Sequence, residues 1–74
     1  MIGSKLITYS EYVESITIFA KYSPAGLDSP AEVYCAHNEM WMGPNSHIVS
    51  DEDTARLESL GWQVEPEGSF HRFL

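Results

Sequence analysis

The sequence predicts a small α+β domain in which two helices pack on one face of an antiparallel sheet. A chain of 74 residues is long enough for one modest core. Hydrophobic residues recur at helical spacing in 9–22 and 51–60, and they alternate at strand spacing in 31–44 and 62–73. The order helix, hairpin, helix, hairpin predicts a single domain over residues 1–74, with the second sheet face partly open.

The first predicted helix begins after Thr8, which can form a capping box with Glu11. It ends before Pro24, because proline disfavours helical backbone at the preceding residue. Side chains at spacings of three and four then define the predicted buried stripe, which is Tyr9, Tyr12, Val13, Ile16, Phe19 and Ala20. Ile18 lies outside this stripe, which leaves it without an explanation.

A loop rich in proline, glycine and serine, 23–31, leads to the first predicted hairpin. A turn around Asn38 and Glu39 would fold the second strand back on the first. Because side chains alternate along a strand, either Trp41 or the methionines on each side of it face the core. The first strand is predicted to place Val33, Cys35 and His37 on one face and Glu32, Tyr34 and Ala36 on the other.

The second helix, predicted from about residue 51 to 60, carries signals at both ends. Ser50 is a good N-cap, and the three acids that follow it are stabilised by the positive end of the helix dipole. The last of them can also accept a hydrogen bond from the backbone of Ser50, as in a capping box. At the other end Gly61 suits a Schellman motif, in which Trp62 packs on Leu57.

The second hairpin is predicted to turn at Glu65-Pro66-Glu67-Gly68, which has the proline and glycine positions of a type I turn. Its strands should cover 62–64 and 69–73. The second strand is predicted to place Phe70, Arg72 and Leu74 on one face and Ser69, His71 and Phe73 on the other.

The balance of charges limits the partners of this protein. Eleven Asp and Glu against four Lys and Arg give a formal net charge of −7, which disfavours nucleic acid and anionic membranes and favours basic proteins. The single cysteine cannot form an internal disulfide, no charged-then-apolar leader opens the chain, and no apolar run approaches the ~20 residues of a membrane span. We therefore expect a cytosolic protein.

Cysteine and histidine residues are the candidates for a metal or catalytic site. Cys35 and His37 are two residues apart, and His47 and His71 would have to approach them in space to complete a four-ligand site. The spacing matches no strong zinc pattern, so we expect Cys35 in the core, the histidines at edges or on the surface, and neither a metal nor a cofactor. No catalytic motif is present, and a non-enzymatic protein is predicted.

Acidic residues are the remaining candidates for a functional site. The region 51–67 holds six acids against Arg56 alone and is the most negative part of the chain. Capping explains the first three, and solubility can explain the others. The sharper interpretation is a partner-binding surface that imitates phosphates, formed by Asp51, Glu52, Asp53, Glu58, Glu65 and Glu67.

Three segments carry a resemblance to known proteins, namely ITIFAKYSP, VYCAHNEMWMGP and IVSDEDTARLESLGWQVEPEGSFHRF. They contain a helix ending in K-Y, an A-H-[ND]-E-type turn, an S-x-E-D-x-x-R-L-x-x-L-G-W segment and a final F-x-x-F. In these features the chain resembles, over nearly its whole length, a family of small acidic proteins encoded by phages and prophages. Because the motifs are mostly caps, turns and core aromatics, they identify relatives better than they identify a site.

The chain is also similar in size, charge and predicted fold to anti-CRISPR proteins that inhibit type I systems, and type I-C is the subtype that the resemblance suggests. This resemblance implies a viral protein that acts as a monomer in the host cytoplasm. It would bind a basic, DNA-holding subunit of the crRNA-guided surveillance complex (Cascade) and block target DNA binding, without contacting nucleic acid itself. The alternative is a phage accessory protein that binds another basic host DNA-binding protein, such as a restriction enzyme or transcription factor.

Overall fold

The computed structural model describes residues 7–31 and 33–73. It confirms the predicted α+β fold, with two helices on one face of a four-stranded antiparallel sheet of strand order β1-β2-β4-β3. The regular elements are α1 (Tyr9–Lys21), β1 (Tyr34–Ala36), β2 (Glu39–Met42), α2 (Asp51–Ser59), β3 (Gln63–Val64) and β4 (Phe70–Phe73). Single 3-10 turns lie at Gly26–Asp28 and Ser46–Ile48. Neither α-helix has the length and apolar composition needed to cross a membrane.

The register of β2 against β4 defines two sheet faces. Met42 pairs with Phe70 and Met40 with Arg72, and these four side chains point towards the helices. We call the opposite side the open face; its members in these strands are Glu39, Trp41, His71 and Phe73. The predicted alternation along the last strand is thus confirmed for its described residues, whereas Glu32 and Leu74 lie outside the described part of the chain.

The core lies between the helices and the sheet. Phe19 from α1 meets Trp62 edge-on, with ring centroids 5.2 Å apart, and contacts Phe70 of β4 at 5.3 Å. Burial of such large aromatic side chains removes much apolar surface from water and so stabilises the domain. The buried hydrophobic residues are Ile18, Phe19, Val49, Leu57, Leu60, Trp62 and Phe70.

The predicted buried stripe of α1 is confirmed at Phe19 but wrong at other positions. Tyr9 is 92% exposed and Val13 63% exposed, whereas Ser15 and the unexplained Ile18 are buried. Both sides of this helix carry apolar residues at helical spacing, so periodicity predicts the helix without selecting the side that packs. Contacts with distant residues make that selection, and one of them is a hydrogen bond from the Trp62 indole to Ser15, at 2.9 Å.

The first hairpin differs from the prediction by one residue at its turn. The turn residues are His37 and Asn38, both with positive φ of 53° and 64°, and Glu39 is the first residue of β2. Such a two-residue turn suits the twist of a hairpin, and Asn is among the residues that adopt positive φ readily. Cys35 is exposed rather than buried as predicted, because β1 is an edge strand that pairs with β2 alone.

Helix α2 and the turn after it are confirmed closely. The Ser50 hydroxyl accepts a hydrogen bond from the Asp53 amide at 3.2 Å. At the other end Trp62 N donates to Leu57 O at 3.1 Å, and Gly61, with φ of 103°, occupies the C′ position, as a Schellman motif requires. The turn predicted at residues 65–68 is present and is closed by a hydrogen bond of 2.9 Å from the amide of residue 68 to the carbonyl of residue 65.

Candidate functional site

Asp53, one of the six predicted contact acids, is engaged inside the domain. Its carboxylate accepts a hydrogen bond from the Tyr22 hydroxyl and lies 2.6 Å from Lys21 Nζ. The bond to Lys21, followed by that to Tyr22, lowers the pKa of Asp53 below its usual value. The Ser50 amide donates to the Tyr22 hydroxyl at 3.2 Å, so the tyrosine takes the place predicted for the Asp53 carboxylate in a capping box. Asp53 therefore joins α2 to α1.

The other acids of α2 have a different environment. Asp51, Glu52 and Glu58 are exposed and form no ion pair within the described residues. Asp51 and Glu58 are seven residues apart and so lie on one side of the helix, about 10 Å from each other along its axis. This side of α2 presents carboxylates directly to solvent.

Arg56, the one cation of this acidic region, does not neutralise those carboxylates. Its guanidinium reaches α1 and donates two hydrogen bonds to Glu14, at 2.5 and 2.8 Å. The hydrogen bonds from Arg56 lower the pKa of Glu14, and the same pairing raises the pKa of Arg56. The positive charge of Arg56 is therefore paired with Glu14 between the helices, and the solvent-facing side of α2 remains acidic.

The two acids of the β3–β4 turn, Glu65 and Glu67, are held in different ways. Glu67 accepts a hydrogen bond from the Ser69 hydroxyl at 2.7 Å, which lowers the pKa of Glu67. Glu65 points towards the open face, where its Oε2 lies 3.8 Å from His71 Nδ1. The turn is fixed by the Ser46 amide, which donates to the carbonyl of residue 68 at 2.8 Å. Ser46 belongs to the segment that leads into α2, so the turn lies beside that segment.

The open face carries a row of aromatic rings that we did not predict. Tyr34 of β1, Trp41 of β2 and His71 of β4 are adjacent across the sheet, with centroid distances of 5.4 and 4.9 Å. Phe73 continues the row, edge-on to His71 at 4.9 Å. Tyr34 is 64% exposed and Phe73 43% exposed, so the row is accessible at both ends. Alternation within each strand indicates which of its side chains share a face, but only the order of the strands in the sheet brings the four rings together.

His71 is the centre of this aromatic row, and its environment corrects the prediction that all histidines are edge or surface residues. It is only 5% exposed because β4 is an inner strand and Trp41 and Phe73 cover the ring. Nε2 lies 2.7 Å from Glu39 Oε1. Nδ1 is buried and has no hydrogen-bond partner among the described residues. His37 and His47 are exposed, as predicted.

No metal site is formed by Cys35 and the three histidines. Within 7–31 and 33–73, no group of three or more His, Cys, Asp or Glu side chains is arranged to hold a metal ion. A groove of about 370 Å³ lies beside α1, bounded by Ile16, Leu27 and Met42. Its lining is apolar apart from two serines and contains no titratable side chain, so this groove offers no acid–base pair.

The two candidate surfaces lie on different sides of the domain. The exposed acids of α2 belong to the helix layer, whereas the aromatic row belongs to the open face of the sheet. Glu65 is the predicted contact acid that lies close to the aromatic row. The chain matches no protein-family model, no curated protein and no solved structure.

Proposed function

We propose that this protein is a phage- or prophage-encoded, non-enzymatic inhibitor of a type I CRISPR system in the host cytoplasm. It binds a basic DNA-holding subunit of the surveillance complex and blocks target DNA binding with an acidic surface that imitates DNA. The class of target rests on the sequence resemblance, and the electrostatic mechanism is supported by the geometry. The proposed contacts are Asp51, Glu52, Glu58, Glu65 and Glu67, while Asp53 supports them by holding α2 in place.

One observation carries the electrostatic part of the proposal, namely the unneutralised carboxylates on α2. The Ser50 and Tyr22 hydroxyls accept the hydrogen bonds at the start of this helix, and Asp53 has its own partners in α1. Asp51, Glu52 and Glu58 are therefore exposed carboxylates that form no ion pair within the described residues, although Glu52 lies near enough to Lys21 to help raise the pKa of that lysine. In a protein of net charge −7 they add to self-repulsion, which a basic partner would relieve.

The spacing of these carboxylates is compatible with a site built for DNA. Along one strand, B-DNA presents a phosphate about every 3.4 Å of helix axis. Asp51 and Glu58, about 10 Å apart along α2, would then correspond to phosphates about three base pairs apart. Lysine and arginine side chains that hold such phosphates can pair with the carboxylates, and this pairing excludes DNA from the same residues.

The proposal predicts that capture of the surveillance complex depends on salt. Tagged protein is incubated with host lysate containing a type I-C system and washed at low and high salt. Recovery of the complex at low salt and its loss at high salt is the expected result, because added salt shortens the Debye length and screens the attraction between exposed charges.

A pair of charge reversals tests whether position matters more than net charge. Glu58→Lys and Asp28→Lys each change the formal charge from −7 to −5, and both residues are exposed. Glu58→Lys should weaken capture and reduce its salt dependence, whereas Asp28→Lys, on the loop after α1, should bind as the unaltered protein does. Equal losses in both variants would show that total charge, not the α2 surface, drives binding.

The captured protein decides between the proposed target and its alternative. Surveillance-complex subunits in the eluate, together with loss of target DNA binding by that complex, would support the inhibitor. Capture of a different basic DNA-binding protein, such as a restriction enzyme or transcription factor, would replace the target while keeping the electrostatic mechanism. An empty eluate at low salt would contradict both.

A further inference from the structure

We infer that the open face is a second binding surface, which takes an arginine side chain from a basic peptide segment. The guanidinium would stack on the aromatic row near Trp41 and donate hydrogen bonds to the carboxylate of Glu65. The open face and the exposed side of α2 belong to different layers, and Glu65 is the one residue common to both proposals. The aromatic row can therefore bind an arginine whether or not the proposed function holds.

The aromatic row offers ring surface to a planar cation, most of all at its Tyr34 end. Rings from three neighbouring strands are in contact, from Tyr34 through Trp41 to His71, and the outer ring of Tyr34 is largely exposed. A cation over such rings is attracted by their negative faces, most strongly by tryptophan. Two carboxylates, those of Glu39 and Glu65, approach the same row and reinforce that attraction.

The hydrogen bonding of His71 leaves a buried acceptor. An ionised carboxylate can only accept, so the contact of 2.7 Å between Glu39 and Nε2 places a proton on Nε2. In the neutral imidazole Nδ1 then carries a lone pair, and it faces Glu65 Oε2 at 3.8 Å, which is too long for a hydrogen bond. In this neutral form two acceptors face each other with no donor between them.

An arginine side chain is the donor that satisfies both acceptors. A guanidinium has five N–H groups in a plane, pairs with carboxylates in a two-pronged geometry and stacks on aromatic faces. Binding requires Glu65, which is partly exposed and adjoins a turn, to change rotamer so that one N–H reaches Nδ1 of His71 while another remains on the carboxylate. The bound state would therefore resolve the unmet hydrogen-bonding capacity of this face.

Charge distinguishes this occupant from two others. Aromatic rings on a sheet can also stack nucleic-acid bases, but such sites combine the rings with positive charge along the backbone path. Here the neighbours are two glutamates in a chain of net charge −7. The same charge opposes a second copy of this chain on the open face. A basic segment is the complementary partner.

The test uses the two tryptophans as separate reporters in one NMR titration. The probe is N-acetyl-argininamide, and the matched control is N-acetyl-citrullinamide, which has nearly the same shape without the charge. We expect saturable shifts of the Trp41 indole N–H and the His71 ring signals with the arginine derivative alone. The Trp62 indole N–H, which is buried and bonded to Ser15, should not move.

Two variants test the residues named above. Trp41→Leu and Glu65→Gln should each weaken binding about fivefold, since a cation–π or exposed ion contact contributes on the order of 1 kcal/mol. An unshifted Trp62 indole signal confirms that each variant is folded. Retained affinity in both folded variants would overturn the inference.

Other outcomes also contradict this assignment. Equal shifts with N-acetyl-citrullinamide, or with the corresponding lysine derivative, would show that the guanidinium is not what the open face recognises. Stronger shifts with oligothymidylate would identify a base-stacking surface, and shifts on simple dilution of the protein would identify self-association. Protons on both ring nitrogens of His71 in the unliganded protein at neutral pH would mean that Nδ1 already donates to Glu65, so no acceptor would await a ligand.

Discussion

Trp62 and Trp41 lie on opposite sides of the same sheet, and their surroundings differ in every respect. Trp62 is 2% exposed, meets Phe19 edge-on and donates its indole N–H to Ser15 at 2.9 Å. Trp41 is only half-buried and stacks on His71, beside acids rather than within a hydrophobic core. The first has its polar atom satisfied internally, and the second presents ring surface to solvent.

The two tryptophans show that a chain of 74 residues can form a core on one face of its sheet and an accessible aromatic surface on the other. The helices cover one sheet face, where Trp62 is enclosed and its indole N–H is bonded to Ser15. The open face keeps large rings accessible and leaves His71 Nδ1 without a partner in the described residues. Stability is therefore expected to reside on the helix side and binding by aromatic residues on the open face.

Truncation of each tryptophan should produce the largest difference in stability between the two sheet faces. Trp62→Ala should lower the free energy of unfolding by about 3–5 kcal/mol, because it leaves a cavity beside Phe19 in the core. Trp41→Ala should cost no more than about 1 kcal/mol, since this side chain is not enclosed. Urea unfolding followed by far-UV circular dichroism measures both values. Similar losses in the two variants would refute the division between the faces.

The hydrogen bond of Trp62 predicts the next largest effect. Ser15→Ala should cost about 1–3 kcal/mol, because a buried indole N–H would lose its acceptor. Thr17→Ala is the matched control, since Ser15 and Thr17 both donate to the carbonyl four residues earlier but Thr17 is exposed and has no indole partner. The control should stay within about 0.5 kcal/mol of the unaltered protein in the same assay.

A double-mutant cycle separates the hydrogen bond from other effects of the serine. In a Trp62→Phe background, Ser15→Ala should cost much less than it does alone, because no N–H remains to be satisfied. An undiminished cost in that background would mean that Ser15 acts through the helix or its packing, and the role assigned to the indole contact would be lost.

The two helices show what local sequence signals can and cannot predict. Helix α2 was predicted almost to the residue because Ser50, Gly61 and Trp62 act through neighbours within six residues along the chain. For α1 the capping box fixed the start, but two apolar sides were available, and the bond from Trp62 to Ser15 joins residues 47 positions apart. A periodic pattern contains no information about such a contact.

The candidate sites divide in the same way. The exposure of Asp51, Glu52 and Glu58 agrees with their position on a capped, polar helix, whereas the diversion of Asp53 to Lys21 depends on how α1 packs against α2. Prediction of the aromatic row requires still more information about tertiary structure, since its rings come from three strands. Their adjacency requires β4 to lie beside β2 in the sheet, which alternation within a strand does not specify.

The N-cap of α2 provides a smaller, local test on the helix side. Ser50→Ala should lower the free energy of unfolding by about 1 kcal/mol, because the Asp53 amide loses its side-chain acceptor. Thr8→Ala at the start of α1 removes the equivalent bond to the Glu11 amide and is the comparison variant. If Ser50→Ala has no effect while Thr8→Ala destabilises, the Tyr22 hydroxyl rather than the serine caps α2.

The smallest expected effect concerns acid stability and again belongs to the helix side. The pKa of Asp53 lies below its usual value of 3.8, chiefly because of Lys21 and then Tyr22. A carboxylate with a depressed folded-state pKa stabilises the fold above its unfolded-state value, and this contribution is lost as the pH falls through the folded-state value. Stability should therefore fall below about pH 4 in the unaltered protein.

Asp53→Asn should reduce the loss of stability at acid pH. Asp51→Asn is the control, because both acids lie in the first turn of α2 but Asp51 has no cationic partner in the described residues. Urea midpoints at about pH 6 and about pH 3 are compared for the three proteins. The asparagine at residue 53 should narrow the difference between the two midpoints more than that at residue 51. Equal narrowing would assign the acid sensitivity to the helix dipole, which acts on both carboxylates, and would leave Lys21 and Tyr22 without a role in it.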